Sequence, residues 1–195
     1  PGAGVFGGDL SRSEVFTLAV TVLGTMEGRT PVTRSGARAG DVVCVAGELG
    51  LSHQGLRKLQ AAGDDEMLIA GLVMSDRAVG HHLRPVPPLH LGPAAQRAGA
   101  SAMMDISDGL VLDASRLAHA SGVSIELDAA AGLDEDALAG GEDHGLLATF
   151  PPDAAIPEGF RLIGRVGPGE PGVFLAGQQL NPHAGGWDPF LNRAQ

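Results

Sequence analysis

Apolar and polar positions along the chain follow two alternating patterns. Short runs of β-branched and other apolar residues are typical of strands, and segments whose apolar positions recur every three to four residues are typical of helices that bury one face. Such runs predict strands over residues 17–23, 41–46, 102–104, 123–127, 146–150, 161–166 and 173–176. The helical spacing predicts helices over 52–62, around 75–82, 93–98 and 109–120. This alternation predicts an α/β or α+β fold, with a mixed sheet flanked by helices.

Glycine, proline and small polar residues mark the ends of these elements. Ser52 is the expected N-cap of the first predicted helix and Gly63 its end, and Gly122 is expected to stop the last one. Prolines within residues 85–88 predict an extended connector. A linker from 24 to 33 predicts a boundary between a first unit, residues 1–30, and a larger domain, residues 31–195.

Composition places the chain among folded proteins. Hydrophobic residues make up 44% of it, charged residues make up 18%, and the mean hydropathy is +0.11, values that exclude disorder as its general state. The longest apolar stretch, residues 67–74, is well short of the roughly 20 residues that a membrane-spanning helix needs. The chain starts at Pro1 rather than at a methionine, so we expect an N-terminal portion to precede it.

Charge and rare residue types exclude several classes of site. The net charge is −10, from 13 basic and 23 acidic residues, which argues against nucleic acid as a partner. Lys58 is the only lysine, and the phosphate-loop motif does not surround it, so a Walker-type nucleotide site is excluded. Cys44 is the only cysteine, which excludes an internal disulfide and a multi-cysteine zinc site and favours the cytoplasm.

The strongest candidate chemistry lies where the strand over 102–104 gives way to the next helix. Asp105, Ser107 and Asp108 cluster there, beside the positive end of a helix whose free N–H groups suit a phosphate while the carboxylates suit a cation. Oxygen ligands of this kind favour Mg²⁺. Ser107 or Asp108 is equally typical of a helix cap, and the two roles are compatible.

Two other turns consist of paired glycines followed directly by a carboxylate. Asp9 follows Gly8, and Glu142 and Asp143 follow Gly141; each motif alone is typical of a simple turn. Three acidic turns in one short chain favour a further role, because an acidic protein that handles phosphates needs metal ions to neutralise them. The excess of glycine, 30 residues in all, suggests that backbone approaches a ligand closely.

Other polar and aromatic residues carry weaker signals. A loop arginine such as Arg34 suits a phosphate but is more often a solvated surface group. His81 and His82 are adjacent, a spacing that does not place both on one helix face, so we expect surface histidines rather than a metal site. Trp187, the only tryptophan, suits either stacking on an aromatic ring or plugging the core. Cys44 lies mid-strand and is expected to serve packing.

Six segments, taken in order, resemble the thiamine-monophosphate kinase family. They are GGDLSRSE, TRSGARAGD, HLRPVPP, AMMDISDGL, GGEDH and GGWDPF, of which AMMDISDGL is the most specific. The resemblance covers nearly the whole chain. It implies the C-terminal domain of the aminoimidazole ribonucleotide synthetase-like superfamily, with residues 1–30 as a remnant of an N-terminal ATP- and metal-binding domain. Members of that superfamily lack a Walker loop, in agreement with the single lysine.

The resemblance also implies an activity and a set of site residues. The family uses ATP and Mg²⁺ to convert thiamine monophosphate to thiamine diphosphate, and the complete protein is expected to be a homodimer. The motifs imply ATP contacts at Gly8, Asp9, Arg34 and Ser107, Mg²⁺ ligands at Asp9, Asp105 and Asp108, and thiamine-phosphate contacts at Glu142 and Trp187. Positioning and metal ions, rather than a strong side-chain base, would then carry an in-line phosphoryl transfer.

Two other functions remain open at this point. One is another ATP-dependent member of the superfamily, acting on a carboxylate or amide through a phosphorylated intermediate, against which Glu142 and Trp187 favour the kinase. The other is a non-catalytic module that holds nucleotide or metal without turnover. The family's N-terminal half carries further metal-binding aspartates and a subunit-pairing sheet, so this fragment alone is not expected to be fully active.

Overall fold

The computed structural model describes residues 3–185, and the chain divides into two units, Pro1–Thr30 and Pro31–Gln195. Within the described part of the first unit the backbone forms neither helix nor strand, and nearly every side chain is exposed. The strand predicted over 17–23 is therefore wrong for this structure. Its apolar side chains, such as Leu18 and Val20, remain exposed, because a strand forms only where a neighbour accepts its hydrogen bonds and covers one face.

A mixed sheet is the centre of the second unit. Its strands are β1 (Val42–Ala46), β2 (Ala102–Ile106), β3 (Ser124–Leu127), β4 (Gly145–Phe150), β5 (Phe160–Gly167), β6 (Gly172–Leu175) and β7 (Gln178–Gln179). Among the described residues they lie in the order β2-β4-β1-β5-β3-β6-β7. β3 and β6 run parallel, and the other neighbouring pairs run antiparallel. The predicted mixed sheet is confirmed, and all but the short β7 were predicted as strands.

The helices of this unit are α1 (Leu51–Ala62), α2 (Glu66–Ser75), α3 (Arg77–Leu83), α4 (Leu91–Arg97), α5 (Leu110–Ser121) and α6 (Glu135–Ala139), with a short 3-10 turn over Ala129–Ala131. Four of them match predicted helices to within about two residues. The sequence analysis missed α2 because its residues are apolar around the whole circumference, so no periodic face stands out. Not one described residue of α2 is buried.

The glycines predicted to end helices do so, whereas the predicted N-cap of α1 is wrong. Gly63 and Gly122 end α1 and α5 with positive φ, 55° and 67°, and Gly122 is in the left-handed region, as expected. The N-cap of α1 is Gly50, which lies in the left-handed region at φ 78°, and Ser52 is a buried residue inside the first turn. The prediction that Ser52 caps α1 is wrong. The carboxylate of Asp143 accepts hydrogen bonds from the N-terminus of α1 instead.

Helices cover both faces of the sheet, so alternate residues of β1 are buried in opposite directions. Val43 and Val45 join the larger core cluster with α5, and Val42 and Cys44 join the smaller one with Ala95 of α4. Cys44 is fully buried, as its predicted packing role requires. Among residues 3–185 no helix has the length and apolar character needed to cross a membrane.

Strand register brings three loops to one end of the sheet. Ala46 at the end of β1 pairs with Leu146 of β4, and Ile106 at the end of β2 pairs with Gly145 at the start of β4. The loops that follow β1 and β2 and the loop that precedes β4 therefore emerge side by side. The candidate site is built from these three loops.

Candidate functional site

The loops before α1, before α5 and before β4 are tied directly to one another. The N–H of Glu142 donates to the carbonyl of Ser107 (2.8 Å), which joins the β4 loop to the β2 loop. The N–H of Gly50 donates to the carboxylate of Asp143 (2.6 Å), which joins the β4 loop to the start of α1. The acidic turn containing Glu142 is thus the middle member of the three.

Two glycines make this close approach possible. A Cβ at position 141 would lie 2.5 Å from the carbonyl oxygen of Ser107, and one at position 140 would lie 2.7 Å from Cβ of His53. Any side chain at either position would push the loops apart. The glycine pair was expected to let backbone approach a ligand, whereas in this structure it lets the loops approach each other.

Asp143 is a buried structural carboxylate rather than a cleft residue. It is 2% exposed and accepts hydrogen bonds from the N–H groups of Gly50 and Ser52, the latter at 2.8 Å. It therefore satisfies free donors at the N-terminus of α1. His81 lies beside it, with Nε2 3.1 Å from the carboxylate, although the angle does not make a hydrogen bond. The prediction of a surface position is wrong for His81, whose side chain is 12% exposed.

His82 is also tied into the site. Its Nδ1 lies 2.8 Å from Oγ of Ser52, the same residue whose N–H donates to Asp143. Ser52 is fully buried and His82 is half-buried, so His82 is not the free surface histidine that was predicted. Neither contact was visible in the sequence, because residues 52, 82 and 143 meet only through the fold.

A second buried carboxylate, Asp113, shapes the turn between β2 and α5. It has no exposed surface and accepts from the N–H groups of Ser107 and Asp108, both at 3.0 Å. Arg116 donates from Nη1 to Asp113 (2.7 Å) and also to the carboxylate of Asp108. Burial raises the pKa of Asp113, although the hydrogen bonds from Asp108 and Arg116 act in the opposite direction. The sequence analysis missed both Asp113 and Arg116.

The residues predicted at this turn have distinct environments. Ser107 lines the adjoining cleft. Asp108 is ion-paired with Arg116, whereas Asp105, in β2, is exposed and its side chain has no hydrogen-bonding or ionic partner among the described residues. The alternative that Ser107 or Asp108 caps α5 is wrong, because its N-cap is Gly109 and no side chain caps it.

The oxygen donors at this turn suit Mg²⁺ in type but do not form a closed cage. No group of three or more His, Cys, Asp or Glu side chains is placed to hold a metal ion within residues 3–185. Mg²⁺ is commonly bound by one or two carboxylates together with substrate phosphates. Asp105 and Asp108 fit that mode, in which the phosphates complete the coordination.

A cleft of about 320 Å³ opens between α1 and the three loops. His53, Leu56 and Gln60 of α1 line it together with His82 of α3, which contacts α1, and Ser107 and Glu142 line it from the loops. Glu142 adopts φ 67°, and its side chain is 64% exposed. The cleft brings together two predicted site residues, Ser107 and Glu142, and adds α1 and His82, which the sequence analysis did not assign.

Other predicted residues lie away from this cleft or outside its unit. Gly8 and Asp9 belong to the first unit. The carbonyl of Arg34 accepts from Oγ of Ser121 (2.9 Å), at the opposite end of α5 from Ser107. Trp187 lies outside the described residues. The roles implied for all four stay predictions.

A second cleft, of about 360 Å³, lies against β3 and β5 and is lined in part by Glu126, Asp128 and Arg165. None of the residues predicted to act on a ligand lines it. The cleft beside α1 is therefore the candidate site, although it is slightly the smaller of the two.

Comparison with known proteins gives consistent matches. Residues 38–170 match the family model described as AIR synthase related protein, C-terminal domain. A relative from Mycobacterium tuberculosis strain H37Rv named thiamine-monophosphate kinase is 40% identical over 206 residues, covering 97% of this chain and 58% of the relative. One of the same name from Aquifex aeolicus is 38% identical over 204 residues, covering 95% and 63%.

A solved structure described as AaThiL complexed with AMPPCP and TMP is similar in fold. It is 37% identical, with a TM-score of 0.63, over 82% of this chain and 54% of that one. The resemblance carried by the six segments is confirmed by these matches, as is the fold class. The chain spans less than two thirds of the length of the relatives it matches.

Proposed function

The chain belongs to the family of AIR synthase related proteins through their C-terminal domain, and on that premise we propose that the protein containing it is a thiamine-monophosphate kinase. In this proposal it transfers the γ-phosphoryl group of ATP to the phosphate of thiamine monophosphate and forms thiamine diphosphate and ADP. The observation that carries the proposal is the cleft that joins Ser107 to Glu142, two residues from the motifs shared with the kinases. The relatives named thiamine-monophosphate kinase support the choice of substrate.

The Ser107 turn is the proposed meeting point of nucleotide and acceptor. Asp113 holds the N–H groups of Ser107 and Asp108, and Arg116 holds the carboxylate of Asp108. Since the turn is fixed before substrates arrive, Ser107 and the carboxylates need no reorganisation at the moment of transfer.

Asp105 and Asp108 are the proposed Mg²⁺ ligands in this unit, with Asp9 as a third. Bound Mg²⁺ would supply positive charge against the crowded phosphate oxygens, which the chain, at a net charge of −10, does not supply by itself. Gly8, Asp9, Arg34 and Ser107 are proposed to contact ATP, and Glu142 and Trp187 to contact thiamine phosphate. The acceptor oxygen is already anionic, so direct in-line transfer needs neither a side-chain base nor a covalent intermediate.

The complete protein is proposed to be a cytoplasmic homodimer. In the same proposal residues 1–30 belong to an N-terminal domain that contributes to the ATP and metal site, and residues 31–195 form the C-terminal domain. The experiments below therefore use the full-length gene product that contains this chain.

The proposal is tested by measuring thiamine diphosphate formed from thiamine monophosphate, ATP and Mg²⁺. We expect Asp105→Asn to lower turnover by a factor of about 100 or more, since a charged ligand is lost where phosphate charge must be neutralised. Its thermal unfolding should match the wild type, because an exposed carboxylate leaves no cavity. The matched control is Asp153→Asn, an exposed carboxylate in the turn after β4, which should leave turnover unchanged.

Three outcomes separate the candidate functions. Product that requires Asp105 supports the kinase. Equal turnover in the wild type and in Asp105→Asn contradicts the metal assignment. Binding of ATP by the wild type without thiamine diphosphate formation favours another superfamily substrate or a non-catalytic module.

A further inference from the structure

The cleft beside α1 has a defined direction. Ser107 touches the β4 loop at Gly141, and the same loop lies against His53 at Gly140. From His53 the wall continues through Leu56 to Gln60, positions that share one helix face and span about 10 Å. The order along the cleft is therefore the Ser107 turn, then Glu142, then the exposed face of α1.

Thiamine monophosphate has three chemically different parts in a fixed order. A phosphate is followed by a cationic thiazolium ring and then by an aminopyrimidine. With the phosphate at the Ser107 turn, the cation comes next to the exposed carboxylate of Glu142, where opposite charges attract. The aminopyrimidine then lies along α1, beside His53, Leu56 and His82.

His82 is held in one orientation at that position. Gly55 lets α3 cross α1 closely, since a Cβ there would lie 2.9 Å from Cβ of His82. Oγ of Ser52 is hydrogen-bonded to Nδ1 of His82 at 2.8 Å. Ser52 is itself held in place by burial and by the hydrogen bond from its N–H to Asp143. Nε2 of His82 is then the ring nitrogen left for a ligand, because no other described residue bonds the His82 side chain.

We propose that His82 is a specificity-determining residue of the acceptor site. In this proposal Nε2 of His82 accepts a hydrogen bond from the exocyclic amino group on the aminopyrimidine ring of thiamine monophosphate. In this arrangement Nδ1–H donates to Oγ of Ser52, which fixes the tautomer with a bare Nε2. Ser52 is then a positioning residue that acts through His82. The inference rests on the proposed function, because it assigns an orientation to that substrate.

A substrate analogue tests the direction of this hydrogen bond. The 4-oxo analogue of thiamine monophosphate has a carbonyl in place of the exocyclic amino group. Its carbonyl oxygen would face Nε2 of His82, and since both atoms are acceptors they cannot form a hydrogen bond. The wild type should therefore use the analogue less efficiently than thiamine monophosphate. An amide in place of the imidazole presents both a donor and an acceptor, so His82→Gln should discriminate less.

The experiment measures KM and kcat of the full-length protein with both acceptors. For His82→Gln we expect the preference over the 4-oxo analogue to fall about five- to tenfold, the size of one hydrogen bond, because the amide can pair with either acceptor. KM for thiamine monophosphate should rise as well, because a glutamine side chain is not held in place by Ser52 as the imidazole is. KM for ATP and kcat should stay within about twofold. Ser52→Ala should shift the same quantities in the same direction, and His90→Gln, at an exposed histidine outside the cleft, should shift none.

A second pair of variants covers the case in which His82→Gln does not fold. Leu56→Arg places a long charged side chain on the wall position where the aminopyrimidine is proposed to lie, so it obstructs that ring, and Leu89→Arg places the same side chain at an exposed leucine outside the cleft. Leu56→Arg should raise KM for thiamine monophosphate at least fivefold, and Leu89→Arg should not.

The outcomes distinguish this inference from the proposed function. An active wild type with folded variants that leave KM and the preference between acceptors unchanged overturns the role of His82. Unchanged KM in Leu56→Arg overturns the orientation along α1. A wild type that forms no thiamine diphosphate overturns the proposed function, and the inference with it.

Discussion

At the scale of single residues, Asp113 is the group on which the Ser107 turn depends. We expect Asp113→Ala to lower the free energy of unfolding by about 3 kcal/mol, because two backbone N–H groups lose their acceptor and Arg116 loses one of its two carboxylate partners. Urea unfolding followed by circular dichroism measures the change. Asp153→Ala, at an exposed aspartate, should stay within about 0.5 kcal/mol of the wild type, and an equal loss in both variants would contradict this role for Asp113.

Single residues also show where sequence analysis reaches its limit. Ser107 and Glu142 were identifiable because motif and turn chemistry are local properties. Asp143 was not identifiable as the cap of α1, since it lies 93 positions from Gly50 and 91 from Ser52. His82 was misjudged for the same reason, because its partner is on another helix.

At the scale of elements, the crossing of α1 and α3 depends on Gly55. A Cβ there would run into the backbone at Ala78, so Gly55→Ala should force the two helices apart and destabilise the protein by about 2 kcal/mol. Gly71 provides the matched control, since it lies in α2 with open space around it. Gly71→Ala should stabilise by about 0.5–1 kcal/mol through helix propensity. Thermal unfolding checks both, and a shift of the same sign in the two variants would refute the packing argument.

Elements with a clear period were predictable, and those whose state depends on a neighbour were not. The face formed by Leu110, Ala114 and Leu117 predicted α5, and Gly122 marked its end. In α2 the apolar residues surround the helix, so periodicity gave no signal. Residues 17–23 have strand-like composition, but within residues 3–30 the structure contains no strand with which they could pair.

At the scale of the whole molecule, sequence analysis yielded the strands but not their order. β4 lies between β2 and β1, and β5 joins β1 to β3, arrangements fixed by long-range packing rather than by local pattern. That order is what brings the loops at Gly50, Ser107 and Glu142 to one cleft. The residues of the candidate site were thus partly predictable, whereas their convergence was not.

Cys44 lies in the interior strand β1 and packs against α4, so its reaction with a thiol reagent reports on transient opening of the sheet. Burial raises the pKa of the Cys44 thiol to about 11, and the thiolate is the form that reacts as a nucleophile with thiol reagents. We expect a reagent in native buffer at neutral pH to label Cys44 at the rate of a free thiol multiplied by the small fraction of molecules in which the sheet is open, and in urea to label it at the full rate of a free thiol. Mass spectrometry over time would then give the free energy of that opening without denaturant, and rapid labelling in native buffer would contradict a closed centre.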